Sequence, residues 1–290
     1  MKMKIGIIGL GLMGGSFSYD IKELYPNAKI SGFDISKENI TVASELSIIN
    51  SLFDIEKISD YNIIVVAVPV DKSIDVLKQV LNNVSKNTLV IDVGSTKQKI
   101  CSELKNHPNR KNFLAMHPIS GTENSGPYAA KKNLYFNITN IICESNQTDP
   151  DLLKYAMNLF EKFKMKIINM DPFSHDQHIS YVSHLSHITS FILAKTVIQK
   201  EKNEKNIFDL AGSGFESTVR LAKSSSEMWT PIFLHNKDNI LEALNGYINN
   251  LEELKKLIIN NDKESIIKDL NNINRVKKIL SGINNKNDEK

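Results

Sequence analysis

Five short stretches carry side chains whose types and spacing suit chemistry. Gly9-Leu10-Gly11-Leu12-Met13-Gly14 spaces three glycines so that a backbone can turn tightly and expose its N–H groups. Val93-Gly94-Ser95-Thr96-Lys97 offers a hydroxyl, and His117-Pro118-Ile119-Ser120-Gly121-Thr122-Glu123 places an imidazole directly after the apolar run Phe113 to Met116. His175, His178, His184 and His187 fall within thirteen residues, and Arg220 follows in Ser217-Thr218-Val219-Arg220-Leu221-Ala222-Lys223. A neutral imidazole can take a proton from a hydroxyl while hydride leaves the same carbon, because its ordinary pKa lies near operating pH. His117 is therefore either such a base or a satisfied structural histidine. Ser95 suits orienting the same hydroxyl or the histidine, and equally a helix N-cap for Thr96 onward. Arg220 suits a two-point clamp on a carboxylate, or is a surface arginine on an amphipathic helix. The histidine pairs at i,i+3 could share a face. With no H-E-x-x-H, no cysteine partner and no acidic ligand at the usual spacing, no metal is expected. One or two of these histidines are expected to reach a substrate instead.

The surrounding segments say how such groups would be held. Lys4 to Ile8 is a short apolar run typical of a buried parallel strand, and Phe17, Tyr19, Ile21 and Leu24 continue beyond the glycines as a helix. A strand entering a glycine turn that opens a helix points free N–H groups at a diphosphate. Gly9 would permit the turn, Gly11 the approach of phosphate and Gly14 the packing of helix on strand, with Leu12 and Met13 inside the cradle. Asp34 ends the next apolar segment, Ile30 to Phe33, twenty residues past Gly14. A carboxylate there accepts from a ribose and repels a 2′-phosphate, which favours NAD over NADP. Lys37 leaves a small opening for NADP, and a structural glycine turn beside a solvated Asp34 is the plain alternative. Tyr61 to Val68 reads as a buried strand stopped by Pro69, so Val68 and Pro69 would line the nicotinamide side.

Residues 1–171 alternate strand-like and helix-like segments, as a doubly wound sheet does. Beyond Pro172 the apolar spacing turns to three and four and no strand pattern returns, so 172–282 reads as an all-helical domain and 283–290 as a frayed tail. Helices are expected over His175 to Lys200, Glu216 to Ser224, Trp229 to Asn249 and Leu251 to Leu280. Trp229 is expected in the core or at a dimer interface. The 290 residues, 41% hydrophobic and 24% charged, carry a formal net charge of +3 with basic residues scattered, which gives nucleic-acid binding no support. No apolar run approaches the roughly 18 residues that would span a bilayer, and the N-terminus shows no signal-peptide pattern. Cys101 and Cys143 are expected to be reduced and buried. A cytoplasmic location follows as the expectation.

Gly9-x-Gly11-x-x-Gly14-Gly15-Ser16, Asp92-x-Gly94-Ser95-x-Lys97, His117-Pro118-x-x-Gly121-x-Glu123, His175-Asp176 with Ser183-His184-Leu185-x-His187, and Arg220-x-Ala222-Lys223 with Trp229 together resemble the prephenate dehydrogenase family. The order and spacing match over residues 4–245. The resemblance implies a Rossmann-like N-terminal domain, a helical dimerisation domain, and a homodimer. It implies oxidation of prephenate by NAD with loss of CO₂, giving 4-hydroxyphenylpyruvate for tyrosine synthesis. By position it implies His117 as general base, Ser95 as its assistant, and Arg220 as the substrate-carboxylate ligand. His187 would lie near the side chain, with Ser183, Gly121 and Thr122 around the pocket, and tyrosine is a possible feedback inhibitor. Ser186, Ser120 and the run Ala211-Gly212-Ser213-Gly214 depart from the family's usual residues and flank the expected pocket. Arogenate is the nearest alternative substrate. Another hydroxyacid dehydrogenase is a second alternative, although Lys195 lacks the flanking pattern of those enzymes' catalytic lysine. A non-catalytic NAD sensor is a third, against which the polar groups at His117, Ser95 and Arg220 speak.

Overall fold

Lys4-Ile5-Gly6-Ile7-Ile8 forms the first strand because its β-branched side chains find cover on both faces. The computed structural model describes residues 3–202 and 206–278. Its strands are β1 (Lys4–Ile8), β2 (Lys29–Phe33), β3 (Ser51–Leu52), β4 (Ile63–Val66), β5 (Leu89–Asp92), β6 (Phe113–Pro118), β7 (Thr139–Cys143) and β8 (Lys166–Met170). They make one sheet in the order β3-β2-β1-β4-β5-β6-β7-β8. Helices α1 (Leu12–Leu24), α2 (Lys37–Glu45), α3 (Val70–Leu81), α4 (Gln98–Leu104) and α5 (Pro150–Lys162) connect the strands. Alternate side chains feed two cores. Ile5, Ile7, Val65 and Ile91 pack with Phe17, Ile21 and Phe160. Ile8, Ile64, Val66 and Val90 pack with Leu77, Leu81 and Leu104. Each fully buried aliphatic of this kind stabilises the fold by about 1.5–3 kcal/mol.

The doubly wound pattern holds from β1 through β6, whose pairings are parallel. β7 departs from it by running antiparallel to β6, with His117 opposite Ile141. A parallel return needs a crossover that covers the sheet, usually a helix. The connection from Ile119 to Ile138 holds only a single 3-10 turn, Pro127–Ala129. It folds back on α1 instead, where buried polar side chains take its backbone: Lys131 N–H donates to Ser16 Oγ at 2.9 Å, and Asn133 and Tyr135 N–H to the Asp20 carboxylate at 2.6 and 2.8 Å. The long loop that follows His117 is thereby tied to the helix that the glycine turn opens.

After β8 the chain is helical: α6 (Pro172–Ile179), a π turn over Ser180–His184, α7 (Leu185–Glu201), α8 (Ser213–Val219), α9 (Ser226–His235), α10 (Lys237–Ile259) and α11 (Lys263–Ile273). The change from strand to helix falls between Met170 and Pro172. By compactness the chain divides later, after Ile240, and every site residue discussed below lies in the first unit. The helix breaks differ from those expected. They fall at Asn236 and at Asn260-Asn261-Asp262, where Asn261 takes φ +55° and Asp262 accepts from Ser265 N–H at 3.1 Å. α10 runs unbroken through Asn250-Leu251, although Asn is a residue that can end a helix. The expected helix end at Leu280, the domain end at 282 and the tail 283–290 lie outside the described residues. Among the described residues no helix is long and apolar enough to cross a membrane.

The glycine turn is sterically committed. Gly9 has φ +96°, and a Cβ on Gly14 would stand 2.0 Å from the Gly9 carbonyl oxygen. Gly14→Ala is expected to push α1 off β1, costing on the order of 1–3 kcal/mol of stability and weakening NAD binding. Urea unfolding midpoints and a cofactor titration check both effects.

Candidate active site

α1 begins at Leu12 with Gly11 in the N-cap position, no side chain capping it and no acidic residue in its first turn. A Cβ on Gly11 would meet nothing within 4 Å. The first-turn N–H groups, including those of Leu12 and Met13, therefore open on free space at the positive end of a helix dipole, which fits a diphosphate. Asp34, at the end of β2, accepts from Leu10 N–H at 2.8 Å and from Ser36 N–H at 2.9 Å. Each oxygen keeps a lone pair for a ribose hydroxyl, so one carboxylate both shapes the turn and stays open to a dinucleotide. Val68 and Pro69 follow β4, half-buried and exposed respectively, with Pro69 at the start of α3. Bound ligands in such sheets lie across these carboxyl ends.

His117 occupies the carboxyl end of β6, half-buried. Its Nδ1 lies 2.9 Å from His175 Nε2, and His175 Nδ1 lies 2.7 Å from Asp176 Oδ1. The Asp176 carboxylate also accepts Lys97 N–H at 2.7 Å and Gln98 N–H at 2.9 Å, which caps α4. Ser95 is not the cap, since α4 starts at Gln98. Nor does it orient His117 here: the imidazole partner is His175, and Ser95 makes no side-chain hydrogen bond to another described residue. It remains half-buried just past the end of β5. Lys97 is fully buried and pairs with Asp92, whose other oxygen accepts Met116 N–H at 3.3 Å. Burial, then the neighbouring His175, Lys97 and His184, hold the His117 imidazole well below its ordinary pKa, so it is neutral at operating pH.

Of the second histidine pair, His184 ends the π turn, a rare element that often marks functional segments, and His187 follows in the first turn of α7. His184 is buried, with Nδ1 at 3.2 Å from the Asn236 amide nitrogen. Its Nε2 and Trp229 Nε1 are buried without a hydrogen-bond partner among the described residues. His187 hydrogen-bonds through Nδ1 to the Ser183 carbonyl at 3.0 Å and stacks on Trp229, ring centroids 3.5 Å apart. Trp229 packs with Val70 and Ile232, so it joins core and site. His178 points to solvent while His175 is buried, so that pair shares no environment. Among the described residues no three His, Cys, Asp or Glu side chains are placed to hold a metal.

Arg220 follows α8, and its Nη1 donates to Glu123 Oε2 at 3.1 Å. The guanidinium from the helical half thus meets the loop that leaves His117, close enough to depress His187 after burial has done so. Gly121, with φ +148°, and Thr122 lie in the same loop, exposed and half-buried. Ser120 donates to the Leu134 carbonyl at 2.9 Å and pins the loop's two ends together. Sequence reasoning did not assign His175, Asp176, Asn236 or the Thr96–His235 contact at 2.7 Å. The adjacent His-Asp pair was visible, but only folding shows which helix it caps.

Burial lowers His184 to about 4, against about 6.5 in the unfolded chain. As pH falls from 6.5 towards 4 the unfolded chain takes up a proton that the folded one refuses, so stability drains away across that window. At ~1.4 kcal/mol per pH unit the loss approaches about 3 kcal/mol. Urea midpoints measured across that range should fall more steeply for the native protein than for His184→Gln.

Comparison with known proteins bears on the whole chain. The family model for the prephenate dehydrogenase nucleotide-binding domain matches residues 17–169, and that for its dimerization domain matches residues 171–272. The chain is 32% identical over 276 residues to the prephenate dehydrogenase of Bacillus subtilis, spanning 92% of this chain and 73% of that protein. It is 33% identical to that of Lactococcus lactis, over 91% of this chain and 73% of the relative. The crystal structure of prephenate dehydrogenase from Aquifex aeolicus in complex with hydroxyphenyl propionate and NAD+ superposes with a TM-score of 0.86 at 33% identity, covering 96% of this chain and 98% of the other. A Synechocystis arogenate dehydrogenase superposes with a TM-score of 0.75 at 27% identity, covering 95% and 99%. With a nucleotide-binding turn, a neutral imidazole at the carboxyl end of β6 and a helical second half in that order, the chain belongs to the prephenate dehydrogenase family.

Proposed function

We propose that this protein oxidises prephenate with NAD, releasing CO₂ and 4-hydroxyphenylpyruvate, and that His117 is its general base. The observation that carries this reading is a neutral imidazole at the carboxyl end of β6, in the same sheet as a phosphate-ready glycine turn. When bound, NAD supplies the hydride acceptor; Gly9, Gly11, Leu12, Met13, Gly14 and Asp34 would hold it, with Val68, Pro69 and Ser95 towards the nicotinamide. His117 takes the ring-hydroxyl proton as hydride departs, which avoids positive charge on the forming carbonyl. Loss of the ring carboxylate is then driven by aromatisation, and the proton returns to the phenolic oxygen. Arg220 binds a substrate carboxylate, exchanging its bond to Glu123 for the stronger bidentate pair. His187, Ser183, Gly121 and Thr122 surround the pyruvyl side chain. Prephenate is preferred to arogenate because the relatives at the higher identities are prephenate dehydrogenases. Two copies are expected to pair through the helical domain, as the description of its family model suggests. Tyrosine shares the product's ring and a carboxylate, so the same groups would accept it as an inhibitor. A nicotinamide-dependent biosynthetic step fits the cytoplasm.

Following NADH absorbance with prephenate or arogenate, NAD or NADP, with and without tyrosine, tests the reading. Failure to reduce NAD at saturating prephenate would remove it. His117→Asn is expected to bind NAD normally while kcat falls by about 10²–10⁴; turnover near that of the native protein would reassign the base. Arg220→Gln should raise KM for prephenate about ten- to a hundredfold with a smaller change in kcat, the scale of a lost hydrogen bond to a charged group.

A further inference from the structure

On the reading of His117 as base, we propose that His175 and Asp176 are positioning residues that hold its imidazole in the Nδ1–H form, leaving the Nε2 lone pair for the substrate hydroxyl. The hydrogen-bond chain runs from His117 Nδ1 to His175 Nε2 at 2.9 Å, and from His175 Nδ1 to Asp176 Oδ1 at 2.7 Å. A carboxylate has no hydrogen to give, and this one already accepts two backbone N–H groups. The hydrogen at the inner end therefore sits on His175 Nδ1. With that hydrogen on Nδ1, the lone pair of His175 stands at Nε2, and His117 donates to it. Orientation and tautomer are set together, as second-layer partners set them for other imidazoles.

The anchor is rigid. Asp176 caps α4, its own carbonyl accepts the Asn236 amide at 2.7 Å, and His175 and Asp176 are each 1% exposed. The charged and titratable groups facing His117 are Lys97 with its partner Asp92 from the β5 end, His175 and Asp176 from α6, and His184 from the π turn. Lys97 opposes a positive charge on His117. Asp92 is committed to Lys97, so the anion available to offset the imidazolium is Asp176, acting through the polarised ring of His175. The hydroxyl proton moves to His117 Nε2 and later to the phenolic oxygen, and neither His175 nor Asp176 changes its proton count.

Asp176→Asn in the full chain is the test. The amide oxygen can still accept Gln98 N–H, while an NH₂ group in the place of Oδ1 gives up Lys97 N–H, faces His175 Nδ1 and reverses the chain, moving the hydrogen of His117 to Nε2. Long-range proton–nitrogen correlation spectra should show His117 as Nδ1–H in the native protein and Nε2–H in the variant. The kcat should fall by ~10²–10⁴, the scale of a wrong tautomer in a hydrogen-bonded base, with KM and NAD affinity within about threefold. Should Asp176→Asn fail to fold, His175→Phe removes the acceptor and should leave His117 as a mixture of both forms with reduced kcat. An Nε2–H form in the native protein overturns the proposal. So does a folded variant whose kcat drops while the tautomer stays put, or one that changes in neither. Because the spectra need no substrate, a tautomer switch in a protein inert towards prephenate would sink the substrate reading alone.

Discussion

One buried carboxylate holds the two halves of the active region in register. Asp176 comes from the first helix after the sheet, yet it caps a helix that belongs to the sheet's own connections, α4 after β5. Those N–H groups are unpaired in any helix and carry partial positive charge, so an acceptor from elsewhere in the chain is strongly favoured there. The same carboxylate takes the inner end of the imidazole pair that leads to His117. A capping interaction, needed for folding, therefore doubles as the fixed point for the chemistry.

Polar burial recurs throughout the site, and each instance does positional work. Ser16 and Asp20 on α1 take the backbone of the loop after His117, so the helix opened by the glycine turn and the loop beside His117 are tied together. Asp92 reaches Met116 N–H, one residue before His117, while paired to buried Lys97. Asn236, at the break between α9 and α10, joins α6 to the π turn. Buried groups of this sort stabilise little in net terms but are costly to leave unpaired, so each selects one arrangement. A proton transfer coupled to hydride loss needs atoms held within a few tenths of an ångström, and such networks provide it.

Neutral histidines are the electrostatic counterpart of that packing. Burial depresses His117, His184 and His187 together, and the nearby cations Lys97 and Arg220 push His117 and His187 in the same direction. On the proposed reading, this division suits proton acceptance and the binding of a dianionic acid, with lone pairs on the rings and the fixed positive charge left to the guanidinium. The bond between Arg220 and Glu123 keeps that guanidinium, about half exposed, near the loop.

Much of this protein is legible in its sequence. The glycine turn, Asp34, the strand-then-helix order and the candidates His117 and Arg220 were all readable, because local backbone needs and side-chain period two or three-to-four leave marks in adjacent residues. The Ser36 cap is a small example, with Asn39 N–H donating to its hydroxyl. What could not be read depends on contacts distant in sequence. The antiparallel turn of β7 follows from how the loop after His117 docks on Ser16 and Asp20, over a hundred residues earlier. The replacement of Ser95 by Asp176 as the α4 cap, and the choice of His175 as the partner of His117, join residues 58 to 79 apart. Sequence determined which chemical groups this protein has and which elements carry them. Only the tertiary structure decided which group each one touches, because a hydrogen bond between distant segments has no period to betray it.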